Sequence, residues 1–273
     1  MTGVIAADLD GTLVVNSRTV QRQADLFTMD TYATSSSVMT KRAAVMVADL
    51  VAANRLLPVT TRTSAQYERM VWPGAGRPRA AVVANGAEII VDGVKDLQWD
   101  AQVQDAMIAC DWNPTRATSM LAALTSDQVR IRLADGWFAF AVLPSAAEID
   151  LDAIAMLNVH AASLGWTVSV QGRKVYLIPD GVTKQAALGY LQDQHGFDVV
   201  CSVGDSLLDA GMLDLAPHAA RPEFGELARL GWVTPGMYVV TGADPVKVAE
   251  NVVLWATHQV TEHVSAERGS VSS

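Results

Sequence analysis

Two aspartates, Asp8 and Asp10, stand two residues apart at the end of a short apolar run, Val4-Ile5-Ala6-Ala7, and lead into Gly11-Thr12. A second acidic pair, Asp205 and Asp209, has i,i+4 spacing at the start of an expected helix. That spacing puts both carboxylates on one helix face, and negative charge is favoured at a helix N-terminus. Carboxylates gathered at one place repel and raise one another's pKa values. A hard divalent cation removes the difficulty, and Mg2+ suits a few carboxylate oxygens together with water and a substrate phosphate. Phosphoryl transfer asks for an in-line nucleophile, neutralisation of the transferring oxygens and a proton donor for the leaving group. Asp8 can supply the nucleophile, since a carboxylate can form an acyl phosphate. Asp10 can protonate the leaving oxygen and later activate water. Thr60 offers a hydroxyl, Lys184 a cation, and Gly11 a sharp turn that lets amides face a phosphate.

Each of these residues also has a plainer reading. Asp, Gly and Thr all form turns and caps, so the Asp8–Thr12 run taken alone is a turn after a strand. Asp205 and Asp209 can be capping and surface charges, and Thr60 can cap the turn that follows it. A solvated lysine at a helix start is less natural, because a cation is disfavoured there.

The elements that must position these groups are legible as apolar runs with polar ends. Val4 to Ala7 ends at Asp8, Leu56-Leu57-Pro58-Val59 at Thr60, Ala80-Ala81-Val82-Val83-Ala84 at Asn85, and Val199-Val200-Cys201-Ser202-Val203 at Gly204-Asp205. Continuous runs of this length fit strands buried on both faces, as in a parallel sheet. Helical patterns lie between them, over 41–54 and 184–194. Alternating strand and helix implies a doubly wound α/β domain, in which ligands bind beyond the carboxyl ends of the strands. All four polar endings lie there.

The middle third reads as an antiparallel α+β unit. Glu88 to Gly93 is a strand entering a turn. Val129 to Leu133 and Trp137 to Val142 flank Ala134-Asp135-Gly136 as a hairpin, and Thr167 to Val170 and Lys174 to Ile178 flank Gln171-Gly172-Arg173 as another. A helix is expected over 149–164. This divides the chain into a catalytic core of 1–87 and 179–273 and an inserted unit of 88–178. Pro245 to Val264 is expected to be a terminal helix and 265–273 a disordered tail. The segment 16–37 is weakly patterned and longer than most connections, either a functional loop or an irregular excursion.

Composition narrows the classes. The 273 residues are 50% hydrophobic and carry a formal net charge of -9. That suffices for a large core and argues against a nucleic-acid partner, without excluding a small phosphorylated substrate. No apolar run reaches the roughly 18 residues that would span a membrane, and the start of the chain lacks a basic secretory leader. A cytoplasmic protein, monomeric or homodimeric, is the expectation. Cys110 and Cys201 show no metal or redox spacing and read as reduced, packed thiols.

Taken together, the motifs resemble those of the haloacid dehalogenase-like hydrolases, specifically those with a C2-type cap inserted after the third core strand. Asp8-Leu9-Asp10-Gly11-Thr12-Leu13 looks like the first motif of that family, Thr60-Thr61-Arg62 the second, Gly181-Val182-Thr183-Lys184 the third and Gly204-Asp205-Ser206-Leu207-Leu208-Asp209 the fourth. Thr61 departs from the common Thr-Gly-Arg, which touches the local backbone shape rather than the hydroxyl of Thr60. The resemblance covers essentially the whole chain. It implies a Rossmann-like doubly wound core with an α+β cap, and a Mg2+-dependent phosphate monoester hydrolase. Asp8 would be the nucleophile, Asp10 the acid/base, and Asp8, Asp10, Asp205 and Asp209 the metal set. Gly11, Thr61, Arg62, Asn85 and Gly86 would line the phosphate and substrate site. Asn85 would face the pocket, or else only stabilise a turn with Gly86. Arg62 would contact phosphate, or only a nearby carboxylate. Among subgroups the chain looks most like phosphatases of sugar phosphates such as sucrose-phosphate phosphatase, with the run from Gln171 to Pro179 before the lysine motif in modest support. A phosphomutase with the same aspartyl-phosphate chemistry and a non-catalytic binding protein on the same fold are the alternatives. The cap tryptophans Trp112, Trp137 and Trp166 suit core packing better than sugar stacking. The loop Arg221-Pro222-Glu223-Phe224-Gly225 is either a connection or a segment that reaches the pocket.

Overall fold

The computed structural model describes residues 2–20, 25–32, 35–124 and 129–271, and their side chains except at 2, 32, 35 and 267–271. In chain order the elements are β1 (Thr2–Ala7), β2 (Val15–Asn16), β3 (Leu26–Tyr32), β4 (Ser35–Thr40), α1 (Lys41–Ala52), β5 (Leu56–Pro58), α2 (Ser64–Glu68), β6 (Ala80–Val83), β7 (Glu88–Val91) and β8 (Val94–Lys95). There follow α3 (Leu97–Ala109), α4 (Pro114–Ala122), β9 (Arg130–Ala134), β10 (Phe138–Val142), α5 (Leu151–Ala162), β11 (Trp166–Gln171) and β12 (Lys174–Pro179). The chain ends with α6 (Lys184–His195), β13 (Phe197–Val203), α7 (Ala210–Leu215), β14 (His218–Pro222), α8 (Glu226–Arg229), β15 (Tyr238–Val240) and α9 (Pro245–Val271).

The expected apolar runs form the centre of the fold. Strands β15-β14-β13-β1-β5 make a parallel sheet in that order. Beyond β5, β6 joins through the parallel bridge Val59↔Val82 and the bond from Thr60 N–H to the Val82 carbonyl, 2.9 Å. Successive residues of β1 point to opposite faces. Ile5 and Ala7 pack among residues of α1 and α9, and Val4 and Ala6 among residues of α6 and α7. The sheet is therefore covered on both sides, which is why β1, β5 and most of β13 read as continuous apolar runs rather than alternating. Hairpin β7–β8 continues from β6 and turns at Asp92 and Gly93, both with positive φ (51° and 78°), the conformation a two-residue hairpin turn needs.

Between β8 and α6 lies an antiparallel sheet of order β11-β12-β10-β9. One face packs Trp166, Val168, Val170 and Leu177 against Leu121 of α4 and Leu157 of α5. The other face carries Phe138, Tyr176 and Ile178 and packs with Trp99 and Val103 of α3 and with core residues. The indole nitrogens of Trp112 and Trp166 donate to the carbonyls of Gly136 and Cys110, so both rings serve cap packing. Helix α3 has no clear apolar stripe: Leu97 and Ile108 are exposed, and it buries only Trp99 and Val103, whereas α4 presents Ala117, Met120 and Leu121 on one face.

The weakly patterned segment after Asn16 holds β3 and β4, which pair with each other and with β2 beside the core, while 21–24 and 33–34 lie outside the described residues. Helix α9 runs on through Val271, so the stretch expected to be a disordered tail is helical up to that residue; 272 and 273 lie outside the described residues. Among the described residues no helix is long and apolar enough to cross a membrane.

Candidate active site

The first acidic pair separates on leaving β1. Asp8 N–H bonds the Val203 carbonyl at 2.9 Å, fixing Asp8 beside the end of β13. Its carboxylate is buried and accepts from Lys184 Nζ at 2.6 Å. The same Nζ lies 2.6 Å from Asp209 Oδ1. Lys184 opens α6, whose N-cap Thr183 accepts from the Ala186 amide, and its side chain is 0% exposed. A lysine buried at a helix N-terminus is doubly disfavoured, by desolvation and by the dipole. Burial alone would lower its pKa, but Asp209 and Asp8 outweigh that and hold it above the usual range.

Asp205 completes the group: ligand oxygens of Asp8, Asp205 and Asp209 lie within 4.8 Å of one another. Asp209 has little left to offer a cation. Its Oδ2 accepts from Asp205 N–H, Ser206 N–H and the Ser206 hydroxyl, at 3.0, 2.8 and 2.8 Å, and its Oδ1 is held by Lys184. Asp209 is thus the brace of the 204–209 turn. The carboxylate of Asp205 has no hydrogen-bond donor among the described residues. Burial, then the neighbouring carboxylates, push Asp205 well above the ordinary range. Burial likewise lifts Asp8 to about 7, against the pull of Lys184. Three carboxylates facing one ammonium leave two formal negative charges uncompensated. A divalent cation balances that count, so the residues fit one, with Asp8 and Asp205 as the carboxylates that keep an oxygen no hydrogen-bond donor among the described residues holds.

Glycines make the crowding possible. At Gly11, φ is +96° and a Cβ would stand 2.7 Å from Asp205 Oδ2. The Gly11 amide donates to the Val14 carbonyl at 2.8 Å within the sharp turn, and the glycine also serves the close approach to Asp205.

Asp10, expected among the metal ligands, turns away from the cluster. Its carboxylate takes two bonds from Arg62, Nε to Oδ2 at 2.7 Å and Nη2 to Oδ1 at 2.8 Å. The Asp10 side chain is 48% exposed, so desolvation opposes its charge only in part, and the Arg62 charge and hydrogen bonds hold it below the usual carboxylate range. Of the two readings of Arg62, the contact present is with carboxylates. Thr60 is fully buried at the strand end, and its Oγ1 accepts from Arg62 N–H at 3.2 Å. Thr61 is partly exposed beside it.

Asn85 and Gly86 tie the site together from behind. Asn85 adopts φ +60° and donates its side-chain amide to the Val182 carbonyl at 2.9 Å. Gly86, φ +98°, passes so close to Thr183 that a Cβ would overlap the Thr183 carbonyl, and its own carbonyl accepts from Trp99 Nε1. The Asn85 backbone N–H donates to the Thr60 carbonyl at 2.9 Å, so this pair links the end of the Thr60 strand to the turn before Lys184.

No family model matches the chain, and no curated protein matches it in sequence. Solved structures do match. The sucrose-phosphatase of Synechocystis sp. PCC6803, in complex with sucrose and phosphate, superposes with a TM-score of 0.65 at 16% identity, over 96% of this chain and 98% of that one. A Thermoplasma acidophilum protein gives 0.59 at 14% identity, over 94% and 98%. A trehalose-6-phosphate phosphatase related protein gives 0.54 at 17%, over 95% and 100%. The chain has a haloacid dehalogenase-like fold with an inserted cap. At identities this low, the likeness is one of fold.

Within that haloacid dehalogenase-like fold, the sequence left three contributors unseen, Asp30, Ser37 and Glu226, and left the role of Gly225 open. Asp30 and Ser37 contact Arg62. Gly225, φ +94°, leaves no room for a Cβ beside Asp205, so the loop after β14 does reach the site. Glu226, almost fully buried, accepts from Leu207 N–H at 2.9 Å and, across from the cap, from Ser169 Oγ at 2.6 Å and Val170 N–H at 2.7 Å. The signal in the residues was the pair of acidic side chains, Glu223 and Glu226, bracketing Phe224-Gly225 just after β14. On the cap side, Lys174 lies over the rings of Phe140 and Tyr176, at 5.8 and 5.9 Å, and its charge is felt at Asp10.

Proposed function

We propose that the chain is a Mg2+-dependent phosphate monoester hydrolase that works through an aspartyl-phosphate on Asp8 and takes a small phosphorylated metabolite of the sugar-phosphate class. The observation that carries the reading is Lys184 buried between Asp8 and Asp209, with Asp205 in the same group, at the carboxyl end of the parallel sheet. The sugar-phosphate class is supported by the fold shared with the sucrose-phosphatase and the trehalose-6-phosphate phosphatase related protein.

The chemistry follows from the placement. Lys184 fixes one oxygen of Asp8, leaving the other to attack phosphorus in line with the ester oxygen. The Asp8–phosphorus bond forms as the ester bond breaks, and Asp10 gives its proton to the leaving oxygen. An incoming phosphate dianion beside Asp10 favours the protonated acid, against the pull of Arg62. Asp10 then takes a proton from water, whose oxygen attacks phosphorus and releases Asp8. Thr60 would hold the phosphoryl oxygens. A divalent cation held by Asp8 and Asp205 would neutralise charge on those oxygens.

The test is a screen of phosphorylated metabolites, sugar phosphates included, for inorganic phosphate release with Mg2+ and with EDTA. Release that requires Mg2+ and is lost in Asp8→Asn is the expected result. Isomerised product without release would establish a mutase instead, and binding without turnover a non-catalytic protein.

A further inference from the structure

Arg62 reaches three side chains through its guanidinium, and only one of them is Asp10. On its far side Nη1 donates to Asp30 Oδ2 at 2.7 Å, and Nη2 also donates to Ser37 Oγ at 2.7 Å. Asp30 is buried and is held in turn by Arg69, whose Nε and Nη2 reach its two oxygens at 3.1 and 3.2 Å. The Ser37 hydroxyl, accepting from Arg62, donates its own proton to Asp10 Oδ1 at 3.3 Å. Asp30 and Ser37 face each other across β3 and β4, as a registered pair. The register slips by one residue between Thr28 and Asp30. A bulge of this kind re-aims a side chain beside a site. Here it lets Met29 enter the core while its neighbour Asp30 also points inward, and the Met29 carbonyl is fixed by Val71 N–H at 2.7 Å.

A guanidinium is planar, so fixing its far edge fixes its near edge. The near edge makes the two parallel bonds that orient the Asp10 carboxylate. We propose that the β3–β4 hairpin is a positioning device for the acid/base, with Asp30 and Ser37 as positioning residues that act on Asp10 through Arg62. The proposal rests on the phosphatase reading above for the role of Asp10. The segment after Asn16 thereby gains a role without contributing a group to the reacting atoms, since it sets the direction from which a proton is delivered.

The role separates from simple structural support by its dependence on the leaving group. An alkyl phosphate needs a proton on its departing oxygen, whereas p-nitrophenolate leaves without one. In Asp30→Asn the first-turnover release of the alcohol from an alkyl phosphate slows by about tenfold or more, part of what general acid catalysis supplies. First-turnover release of p-nitrophenolate from p-nitrophenyl phosphate, read before Asp10 is needed to activate water, changes by less than about twofold on the same argument. Ser37→Ala, at a partly exposed position, shows the same selectivity to a smaller degree and serves if the Asp30 variant does not fold. Equal losses on both substrates, or no loss, would overturn the proposal. A readout independent of turnover accompanies this. The Nε–H resonance of Arg62, identified by its absence in Arg62→Lys, should be sharp and slow to exchange in the parent protein and broadened in Asp30→Asn or Ser37→Ala. An unchanged resonance overturns the clamp even if the parent protein hydrolyses nothing. A changed resonance in a protein that releases no phosphate from any ester refutes the phosphatase reading and leaves Asp10 clamped for some other end.

Discussion

Lys184 Nζ stands 2.6 Å from Asp209 Oδ1, and neither side chain is exposed to solvent. With Asp8 at the same distance on its other side, the lysine is the counter-charge that lets two carboxylates be buried at the end of β1 and β13. Replacing it removes that compensation without removing the acids. Lys184→Met is expected to cost about 3–5 kcal/mol of stability, the usual consequence of stranding a buried charge. Chemical denaturation measures it. Phosphate release should be lost as well, and should not return when the variant is assayed under conditions where it is fully folded. A Lys184→Met protein with parental stability and turnover would remove the lysine from both roles.

The unbalanced charge around Asp8 and Asp205 makes a second prediction. Since burial and mutual repulsion raise both groups, a cation that binds the folded chain must stabilise it. At a Mg2+ concentration about a hundredfold above its dissociation constant the gain is about 2.7 kcal/mol. For a chain of this size that is an increase of about 5 °C or more in Tm. EDTA should reverse the shift. Asp205→Asn should abolish it while raising the metal-free Tm slightly, because one of the repelling charges is gone. Identical shifts in the parent and in Asp205→Asn would place the cation elsewhere.

How much of this was legible in the residues depends on whether the pattern was local. Asp8, Thr60 and Asp205 sit at the ends of apolar runs, so the sheet and its edge could be read directly, and Lys184 stood out because a helix start is a poor place for a cation. The partners of these residues could not be read the same way. Arg62 holds Asp10, but nothing within a few residues of either announces Asp30, which reaches Arg62 only because β3 carries a bulge. Asn85 carries a turn former's signature, and its bond to Val182 spans 97 positions. Gly11 reads as a sharp turn and is one, but the need comes from Asp205, which follows a strand almost two hundred residues away. Helix α3 escaped because it buries too narrow a stripe to set a helical period, whereas α4 offered both signals, the helix start Asn113-Pro114 and one apolar face of Ala117, Met120, Leu121 and Leu124.

Glu226 is expected to govern how the cap sits. Its carboxylate joins Leu207, within the 204–209 turn, to Ser169 and Val170 on cap strand β11, and Arg229 adds a bond to the Val170 carbonyl at 3.1 Å. Glu226→Ala leaves three donors without that acceptor, two of them backbone amides. A cost of about 2–4 kcal/mol follows from the penalty for such groups. The sharper consequence is local: amide hydrogen exchange should accelerate at Val170 and Leu207 far more than in the strands of the core sheet. Uniform acceleration across the molecule would mean that Glu226 supports the fold as a whole and not the junction.

Glu88 anchors the cap on another side and gives a prediction in pH. It is nearly buried, accepts from Trp137 Nε1 at 2.9 Å and Lys95 Nζ at 3.1 Å, and is bonded by the Ser64 hydroxyl just after the Thr60–Arg62 turn. Burial would raise its pKa, but these donors and the Lys95 charge outweigh burial and hold it below the usual glutamate range. With the folded value below the unfolded one, the unfolded chain binds the extra proton as pH falls. The carboxylate therefore contributes stability that is complete above about pH 5 and disappears as pH drops through the folded value. Glu88→Gln keeps the volume and cannot ionise. The stability difference between the parent and this variant should be constant from about pH 6 to 8 and should shrink below about pH 4. Taking the difference cancels the titrations of Asp8, Asp10 and Asp205, which both proteins share. Denaturation curves across that pH range check it, and a difference that stayed flat into acid would show that the Glu88 contacts work through shape and not through charge.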